Sequence, residues 1–375
     1  MSIACTDAIL LRRSSIDAMR TTASEHGGMH MQFRRLAFLI GLTFANSFSA
    51  MADSPPAEPA MPTVLGKYLV DGRIGVDDLG WMRGRFPHAS LTDQANWQEI
   101  KKWLEGCQQR ATAHVREELI SLGVQPTALQ TDAYEDESCA LVLFADFIAN
   151  KFDSWTTFEA ARKEALPYYL SYRYASEVAG AVAEPDDPTA IGERLRAAFT
   201  VDQILRHGAH WQGHDEIKPP ELSGAAKQVL LFLLSREFVH HDFADTAMLR
   251  SIISSGGWPK SSVVGKTVAF DAWLLVQHAD ADPAFQLRVL RLMEPMVKAG
   301  DVDPGDYAAL FDRTMLKITG HQDYGTQFLC VAGRYEPKGL TDMDGVDIRR
   351  KSVGLGPLAI YRKTIESSYG TTCTS

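Results

Sequence analysis

Apolar residues recur at helical spacing along most of the chain from about residue 90 onward. One series carries an apolar side chain every three or four positions, at Trp97, Ile100, Leu104, Cys107, Ala111 and Val115. This spacing predicts a helix with one buried face, which Thr92 or Asp93 would cap and Gly123 would end. Residues 137–151 repeat the periodicity, so a second, neighbouring helix is expected.

Proline and glycine positions divide most of the remaining periodic sequence into further helices, and Asp242 or Asp245 would cap the helix that follows residue 240. We predict these helices at 156–165, 169–183, 189–207, 223–240, 242–256, 261–277, 283–300 and 357–367. Another predicted helix starts at residue 304 and continues past residue 313. The short apolar stretch 326–332, which glycines bound, is the best strand candidate. The expected fold is therefore mainly α. A flexible leader over 53–62 precedes a helical N-terminal domain over 63–190, and an α-rich C-terminal domain with a small β element covers 191–375.

The first residues have the pattern of an export signal rather than of a folded element. A short basic segment, 31–35, precedes an uncharged apolar run over 36–48, and residues 50–52 offer the small side chains that a signal peptidase requires. We expect cleavage before Asp53, with residues 1–30 an extension upstream of the true start. The apolar run is shorter than the roughly 20 residues of a membrane span, and a buried helix is its alternative interpretation.

Export changes the charge of the mature chain. Removal of residues 1–52, which contain five Arg and three acidic residues, leaves 33 basic and 44 acidic side chains and a net charge of −11. Such a surface repels nucleic acid and anionic membranes, so we expect no nucleic-acid partner and no membrane span in the mature chain. The remaining 323 of 375 residues suffice for two domains.

The cysteines agree with an oxidising compartment, where an even number of them suggests disulfides. Four follow residue 52, and we predict that Cys107 pairs with Cys139 and Cys330 with Cys373. Each pair is close in sequence and lies within one proposed domain. Buried free thiols are the alternative.

The C-terminal part of the chain carries polar residues at the ends of its apolar segments, where a chain presents a site. His278 ends a predicted helix in the sequence QHAD, which starts at Gln277. A helix C-terminus stabilises an imidazolium, which suits a residue that exchanges protons near neutral pH. Asp280 would orient the ring. A histidine that only caps the helix is the alternative.

Asp312 and Arg313 are neighbours in a predicted helix and point about 100° apart. A buried Asp or Arg needs a partner, which Tyr324, His278 or Gln286 would supply. We therefore expect one of the two residues to face the core and the other to face solvent or a pocket. A structural ion pair is the alternative.

The stretch GHQDYGTQ, residues 320–327, combines two glycines with three side chains that both donate and accept hydrogen bonds. Those side chains are Gln322, Tyr324 and Gln327. The mixture suits a neutral polar ligand, such as a sugar or a peptide, or an oxyanion held by amide donors. An ordinary turn that enters a strand is the alternative.

Several other residues are of types that bind metals. They are His207, His210, His214 and Asp215, with the run His240-His241-Asp242. The HExxH spacing of a zinc site is missing, so the sequence assigns no metal ligand and identifies no cofactor.

Short motifs in the C-terminal half together resemble the bacterial domain-of-unknown-function family 6624. They are GGWP, QHAD, FQ, DR, QxYGTQ, DIRR and GLGPL, spread over about residues 200–362. Asp202-Gln203 with Arg206 resembles the family's opening DQxxR element, which implies that Arg206 lies near the same site. The resemblance implies that these motifs belong together, carries no activity, and leaves the N-terminal half unrecognised.

We therefore expect an exported protein, periplasmic or secreted, with a polar pocket. The first hypothesis is a hydrolase or transferase on a cell-envelope or peptide-like substrate, with His278 as general acid and base and Asp280 or Asp312 as its orienter. The binding groups would be Arg206, Gln277, Gln286, Arg313, Gln322, Tyr324 and Gln327. The second hypothesis is a non-catalytic module that binds a small polar ligand or a partner protein with the same residues.

Overall fold

The computed structural model describes residues 60–70, 73–75, 77–129, 137–183, 190–209 and 221–373. These residues all fall within the unit Glu58–Ser375. The predicted signal peptide, its cleavage point before Asp53 and nearly all of the leader lie outside the described residues.

Helices form most of the described structure. In chain order they are α1 Leu91–Ser121, α2 Glu137–Ala149, α3 Trp155–Ala183, α4 Ile191–Ala209, α5 Gly224–Gly256, α6 Ser261–Val264, α7 Lys266–His278, α8 Pro283–Ala299, α9 Pro304–Thr319, α10 Val346–Ser352 and α11 Leu358–Tyr369. Two short antiparallel hairpins pair β1 Leu69–Val70 with β2 Arg73–Ile74, and β3 Phe328–Val331 with β4 Arg334–Pro337. The prediction of a mainly α protein with a small β element is confirmed. Within the described ranges, no helix has the length and apolar character needed to cross a membrane.

The boundaries of α1 follow from short-range signals. Ser90 caps the helix, instead of Thr92 or Asp93, because its hydroxyl accepts a hydrogen bond from the backbone N–H of Asp93 at 3.1 Å. Gly123 lies just past the last turn and has a positive φ of 75°, a conformation that favours glycine.

Two pairs of predicted helices are single helices in the structure. Pro167 lies inside α3, which tolerates the loss of one backbone donor because the rest of the helix is packed. Asp242 and Asp245 lie inside α5 and cap nothing: Asp242 accepts from Arg206 of α4, and Asp245 is buried. Conversely, Gly265, with φ of 82°, separates α6 from α7 where one helix was predicted.

The largest hydrophobic core joins the N-terminal helices to the first half of α5. Its buried residues include Trp81, Trp97, Phe158, Leu205 and Leu233. Helices α4 and α5 both pack on α3, so this core continues past residue 190. The domain boundary expected near residue 190 stays a prediction. A smaller cluster packs the end of α1 against α8 and α9 through Val115, Leu119, Ala284, Leu287 and Ile318.

Both predicted disulfides are confirmed. Cys107 of α1 is bonded to Cys139 of α2, with their Cα atoms 6.3 Å apart. Cys330 of β3 is bonded to Cys373, with their Cα atoms 5.7 Å apart. The first bond joins two neighbouring helices, and the second joins the end of the described chain to the β3–β4 hairpin.

The starts of α8 and α9 are set by Asp-Pro pairs, as predicted. Asp282 accepts from the backbone N–H of Phe285 at 2.8 Å, and Asp303 accepts from that of Gly305 at 2.8 Å. These helices pack on each other and on α7, which also packs on α4 and α5. Residues from five helices therefore meet around the C-terminal half of α7.

Candidate functional site

A buried group of charged residues forms where α7 ends against α4 and α5. The Nδ1 atom of His278, the last residue of α7, lies 2.9 Å from Oδ1 of Asp202 on α4. Arg206, one turn further along α4, donates from Nε to the same oxygen at 2.6 Å and from Nη2 to Asp242 on α5. His278 and Asp202 are 3% and 0% exposed. We call these four residues the His278 cluster.

Asp202 is the central acceptor of the cluster, and Nε2 of Gln203 also donates to it at 2.7 Å. Burial raises the pKa of Asp202, but the charges of Arg206 and His278 outweigh this effect and hold the pKa well below its usual range. An ionised carboxylate only accepts hydrogen bonds. The proton in the bond to His278 therefore belongs to Nδ1 of the imidazole.

The other ring nitrogen of His278 is unused. Burial and the charge of Arg206 lower the pKa of His278, although Asp202 opposes them. With Nδ1 protonated and the ring neutral, Nε2 carries a lone pair. This atom is buried and has no hydrogen-bond partner among the described residues, so its lone pair is available to a bound ligand.

The pKa of Asp242, the second carboxyl group of the cluster, shifts in the opposite direction to that of Asp202. Burial raises the pKa of Asp242 to about 7, because the bond to Arg206 offsets only part of the effect and the charge of Asp202 adds to it. Burial also raises the pKa of Asp245, three residues along α5, well above its usual value. One guanidinium thus faces three acidic groups that ionise at different pH.

The His278 cluster contains a set of residues that could hold a metal ion. One ligand atom each from Asp202, Asp242 and His278 lies within 4.8 Å of the other two, in the part of the chain that the structure describes. Two carboxylates and an imidazole suit a divalent cation. Arg206 bonds to both carboxylates, however, and already supplies the positive charge between them. The metal-type residues His210, His214 and Asp215 lie outside the described residues.

Asp280 belongs to a neighbouring ion pair. Its carboxylate accepts from Nε of Arg313 on α9 at 2.8 Å and from Nη2 of the same side chain, and Nζ of Lys317 lies 3.2 Å from its Oδ1. Burial raises the pKa of Asp280, but the two cations outweigh it and hold the pKa far below its usual range. Asp202 thus occupies the place beside His278 that the sequence analysis gave to Asp280 or Asp312.

Asp312 holds the loop that follows α9. Its two carboxylate oxygens accept hydrogen bonds from the backbone N–H groups of Asp323, Tyr324 and Thr326 and from the hydroxyl of Thr326, all between 2.9 and 3.0 Å. Burial raises the pKa of Asp312 although these hydrogen bonds oppose it. Each oxygen has two donors, so the carboxylate determines the conformation of the loop.

Gln322 closes the same loop. Its Nε2 donates to the carbonyl oxygens of Gln327 at 2.7 Å and Lys338 at 2.5 Å, and its Oε1 accepts from the backbone N–H of Gln327 at 2.9 Å. Arg350 of α10 donates to the carbonyl oxygen of Tyr324 at 2.7 Å. The amide groups of this segment therefore bond mainly to its own backbone, while the phenol of Tyr324 stays partly exposed.

The two remaining predicted residues are Gln277, near the end of α7, and Gln286 of α8, whose side chain bonds to the end of α7. Nε2 of Gln286 donates to the carbonyl oxygens of Val276 at 3.1 Å and Gln277 at 3.3 Å. The side chain of Gln277 is 0% exposed, and neither of its amide atoms has a hydrogen-bond partner in the described parts of the chain. The same holds for Oε1 of Gln286, which is also buried. Two residues near His278 in the sequence, Gln277 and Gln286, thus also have buried amide atoms without a described partner.

The predicted site residues divide into groups in the structure. His278 and Arg206 share Asp202, and the charge of Arg313, which pairs with Asp280, also lowers the pKa of His278. Gln322, Tyr324 and Gln327 follow α9 in the chain, and Asp312 of α9 holds the backbone of this segment. Neither Asp202 nor Asp242 was predicted to contact His278: Asp202 was named only in the family resemblance, and Asp242 only as a metal-type residue and a helix cap. The available signal was the spacing of Asp202 and Arg206, four residues apart on one helix face.

Comparison with known proteins bears on the C-terminal half. No curated protein and no solved structure matches the chain. A protein-family model matches residues 232–374, which confirms the resemblance over this segment, although the match begins at residue 232 instead of about 200. Asp202 and Arg206 precede the matched segment, and Asp242 and His278 lie within it. Residues 232–374 thus match DUF6624, a family of unknown function.

Proposed function

We propose that the protein is an exported enzyme in which His278 acts as general acid and base. The observation that carries this proposal is the buried imidazole whose Nδ1 is held by Asp202 and whose Nε2 has no partner. The carboxylate fixes the tautomer and the orientation of the ring, and the free nitrogen can take a proton from a hydroxyl group or a water molecule. The reaction class is hydrolysis or group transfer.

Asp242 is the second proton-exchanging group of the proposal. Its raised pKa, about 7, leaves a large fraction protonated near neutral pH, where His278 is neutral. An acid and a base at such close range can protonate a leaving group and deprotonate a nucleophile. Arg206 bonds to both carboxylates and keeps their spacing, which makes it a positioning residue.

The proposed location is the periplasm or the extracellular medium, and the proposed substrate is a cell-envelope or peptide-like molecule. The two disulfides and the export pattern before Asp53 support the location. The buried amide of Gln277, next to His278, supports a substrate with amide groups, since it offers both a donor and an acceptor. No nucleic-acid partner is proposed, because the chain is acidic.

The decisive experiment measures turnover and binding separately. Protein expressed from the full chain is incubated with purified muropeptides and with a dipeptide library, products are identified by mass spectrometry, and affinity is measured by calorimetry. We expect His278→Gln to lower kcat by at least about 100-fold while the affinity for the converted compound changes less than about threefold. His321→Gln removes an exposed histidine outside the His278 cluster and should keep full activity.

Two results would overturn the proposal. If the wild type converts none of these compounds and substitutions across the His278 cluster reduce affinity by graded amounts, the protein is a binding module. If Zn²⁺ or Mn²⁺ raises the melting temperature of the wild type but not that of Asp242→Asn, the cluster holds a metal instead of exchanging protons. Thermal unfolding of each variant shows that it is folded.

A further inference from the structure

A buried arginine beside the largest hydrophobic core leaves most of its N–H donors without a described acceptor. Arg236 of α5 is 0% exposed, and its Nη2 donates to the carbonyl oxygen of Gly75 at 3.0 Å. Its Nε and Nη1 atoms are buried, and no described residue forms a hydrogen bond with either of them. The guanidinium carbon lies 5.6 Å from the ring centroid of Trp81 and 5.8 Å from that of Phe232.

Trp81, one of the rings that face this guanidinium, supplies another unused donor. Its Nε1 is buried and has no hydrogen-bond acceptor within the ranges that the structure describes, and the side chain is 3% exposed. The three unpartnered atoms of Arg236 and Trp81 are all N–H donors, and none is an acceptor. The partner that would satisfy them is therefore a group that accepts hydrogen bonds.

The acidic residues nearest to Arg236 have other partners. Oε1 of Glu237 accepts from the hydroxyl of Tyr169 and lies 4.0 Å from Nε of Arg173. Arg173 also donates to Asp77 at 2.5 Å. Burial lowers the pKa of Arg236 to about 10, so the guanidinium is still charged at neutral pH. In the described residues, this charge has no carboxylate within salt-bridge distance.

We propose that Arg236 and Trp81 form a buried binding site for a small oxyanion, either inorganic phosphate or the carboxylate of an organic acid. Water would accept hydrogen bonds here but would supply no charge. An oxyanion supplies both the acceptor atoms and the counter-charge that a buried guanidinium requires. The site shares no residue with the His278 cluster. A negative result for the anion site therefore leaves the proposed function unaffected, and the reverse also holds.

The test measures melting temperature and calorimetric affinity of the full chain against phosphate and acetate at constant ionic strength. We expect the wild-type melting temperature to rise with the concentration of at least one anion. Arg236→Met should abolish this response. Trp81→Phe keeps a ring in place but removes the indole N–H, and should weaken the anion affinity by about tenfold.

Two matched variants serve as controls. Arg250→Met removes an arginine of the same helix that also lies over a ring but already has a carboxylate partner, Asp282. Trp103→Phe changes another buried tryptophan of the same core. Both should keep the wild-type anion response, which separates loss of a ligand from loss of packing.

The outcomes are distinct. A stronger response to phosphate than to acetate assigns the site to phosphoryl ligands, and the reverse assigns it to carboxylates. If Arg236→Met does not fold, Trp81→Phe decides, since its effect on affinity needs only the missing N–H. An equal anion response in the wild type and Trp81→Phe, or no response in the wild type, overturns the proposal and leaves a guanidinium hydrated by buried water.

Discussion

Arg206 and His278 donate hydrogen bonds to the same atom, Oδ1 of Asp202. The arrangement holds the imidazole in place yet disfavours its protonation, because burial and the adjacent guanidinium both oppose a second positive charge. A histidine that stays neutral, with one nitrogen bonded and the other free, is a base rather than a structural cation.

The lowered pKa of His278 has a consequence for stability. The unfolded chain binds a proton at about pH 6.5, whereas the folded protein binds it only at lower pH. The free energy of unfolding should therefore fall as the pH drops from above 6.5 through the lowered pKa of His278. His278→Gln lacks this effect, so urea denaturation should show the wild type losing stability relative to the variant between pH 7.5 and pH 5.

NMR titration of the histidine ring protons assigns the effect to its residue. The His278 signal, identified by its absence in His278→Gln, should titrate below pH 6.5. Asp202→Asn should lower that midpoint further, because Asp202 is the group that opposes the decrease. A His278 midpoint at or above 6.5 contradicts the neutral-base assignment.

At the scale of elements, α9 and the loop after it form one structural unit because a single side chain joins them. Asp312→Asn replaces an acceptor oxygen by a donor and leaves buried backbone N–H groups of residues 323–326 without an acceptor. We expect a loss of about 2 kcal/mol in the free energy of unfolding at pH 7, with faster amide exchange confined to this loop.

The control for Asp312 is Asp344→Asn, an exposed aspartate in the chain that follows the β3–β4 hairpin. Surface substitutions of this kind change stability by less than about 0.5 kcal/mol. If Asp312→Asn were equally mild, and exchange in the loop were unchanged, Asp312 would be free for another role, including the catalytic one that its sequence context suggested.

Local signals predicted the helices whose ends are set by neighbouring residues. The Asp-Pro pairs at the starts of α8 and α9 act within a few residues, so the sequence alone located them. The breaks predicted within α3 and α5 were wrong because packing of these long helices overrides a proline or an aspartate. The pairing of β3 with β4 was missed because only the first strand has an apolar pattern.

The candidate site depends on contacts between distant parts of the chain. Asp202 meets His278 across 76 residues, and Arg206 meets Asp242 across 36 residues. The position of His278 at a helix end and the family resemblance of Arg206 indicated these two residues, but no local pattern shows which carboxylate a histidine will reach. The pairings required the packing of α4 and α5 against α7, which is a property of the fold.

At the scale of the whole molecule, the His278 cluster draws on both sides of the family boundary. Asp202 and Arg206 come from α4, before the matched segment, and the other members come from within it. A fragment that begins at residue 232 would leave His278 without its acceptor and Asp242 without its cation. The family segment and α4 therefore form one structural unit around the His278 cluster.

The two disulfides join different parts of the described chain, and their removal tests how far each part depends on its bond. Cys107 and Cys139 are separated by 32 residues, and Cys330 and Cys373 by 43. Loop-closure entropy predicts that each bond contributes about 4 kcal/mol, with a difference of only about 0.3 kcal/mol between them. The double variants Cys107→Ser/Cys139→Ser and Cys330→Ser/Cys373→Ser should thus be destabilised almost equally in urea.

The two double variants should differ in where amide exchange becomes faster, even though they lose nearly the same free energy of unfolding. Loss of Cys330–Cys373 should speed amide exchange in β3, β4 and α11, while the NMR signal of His278 keeps its wild-type midpoint, because the His278 cluster is held by α4, α5 and α7. Loss of Cys107–Cys139 should speed exchange in α1 and α2. If the Cys330–Cys373 variant instead shifts the His278 midpoint, the hairpin and the cluster are coupled. The loop held by Asp312, next to Arg313 on α9, would then be the connection between them.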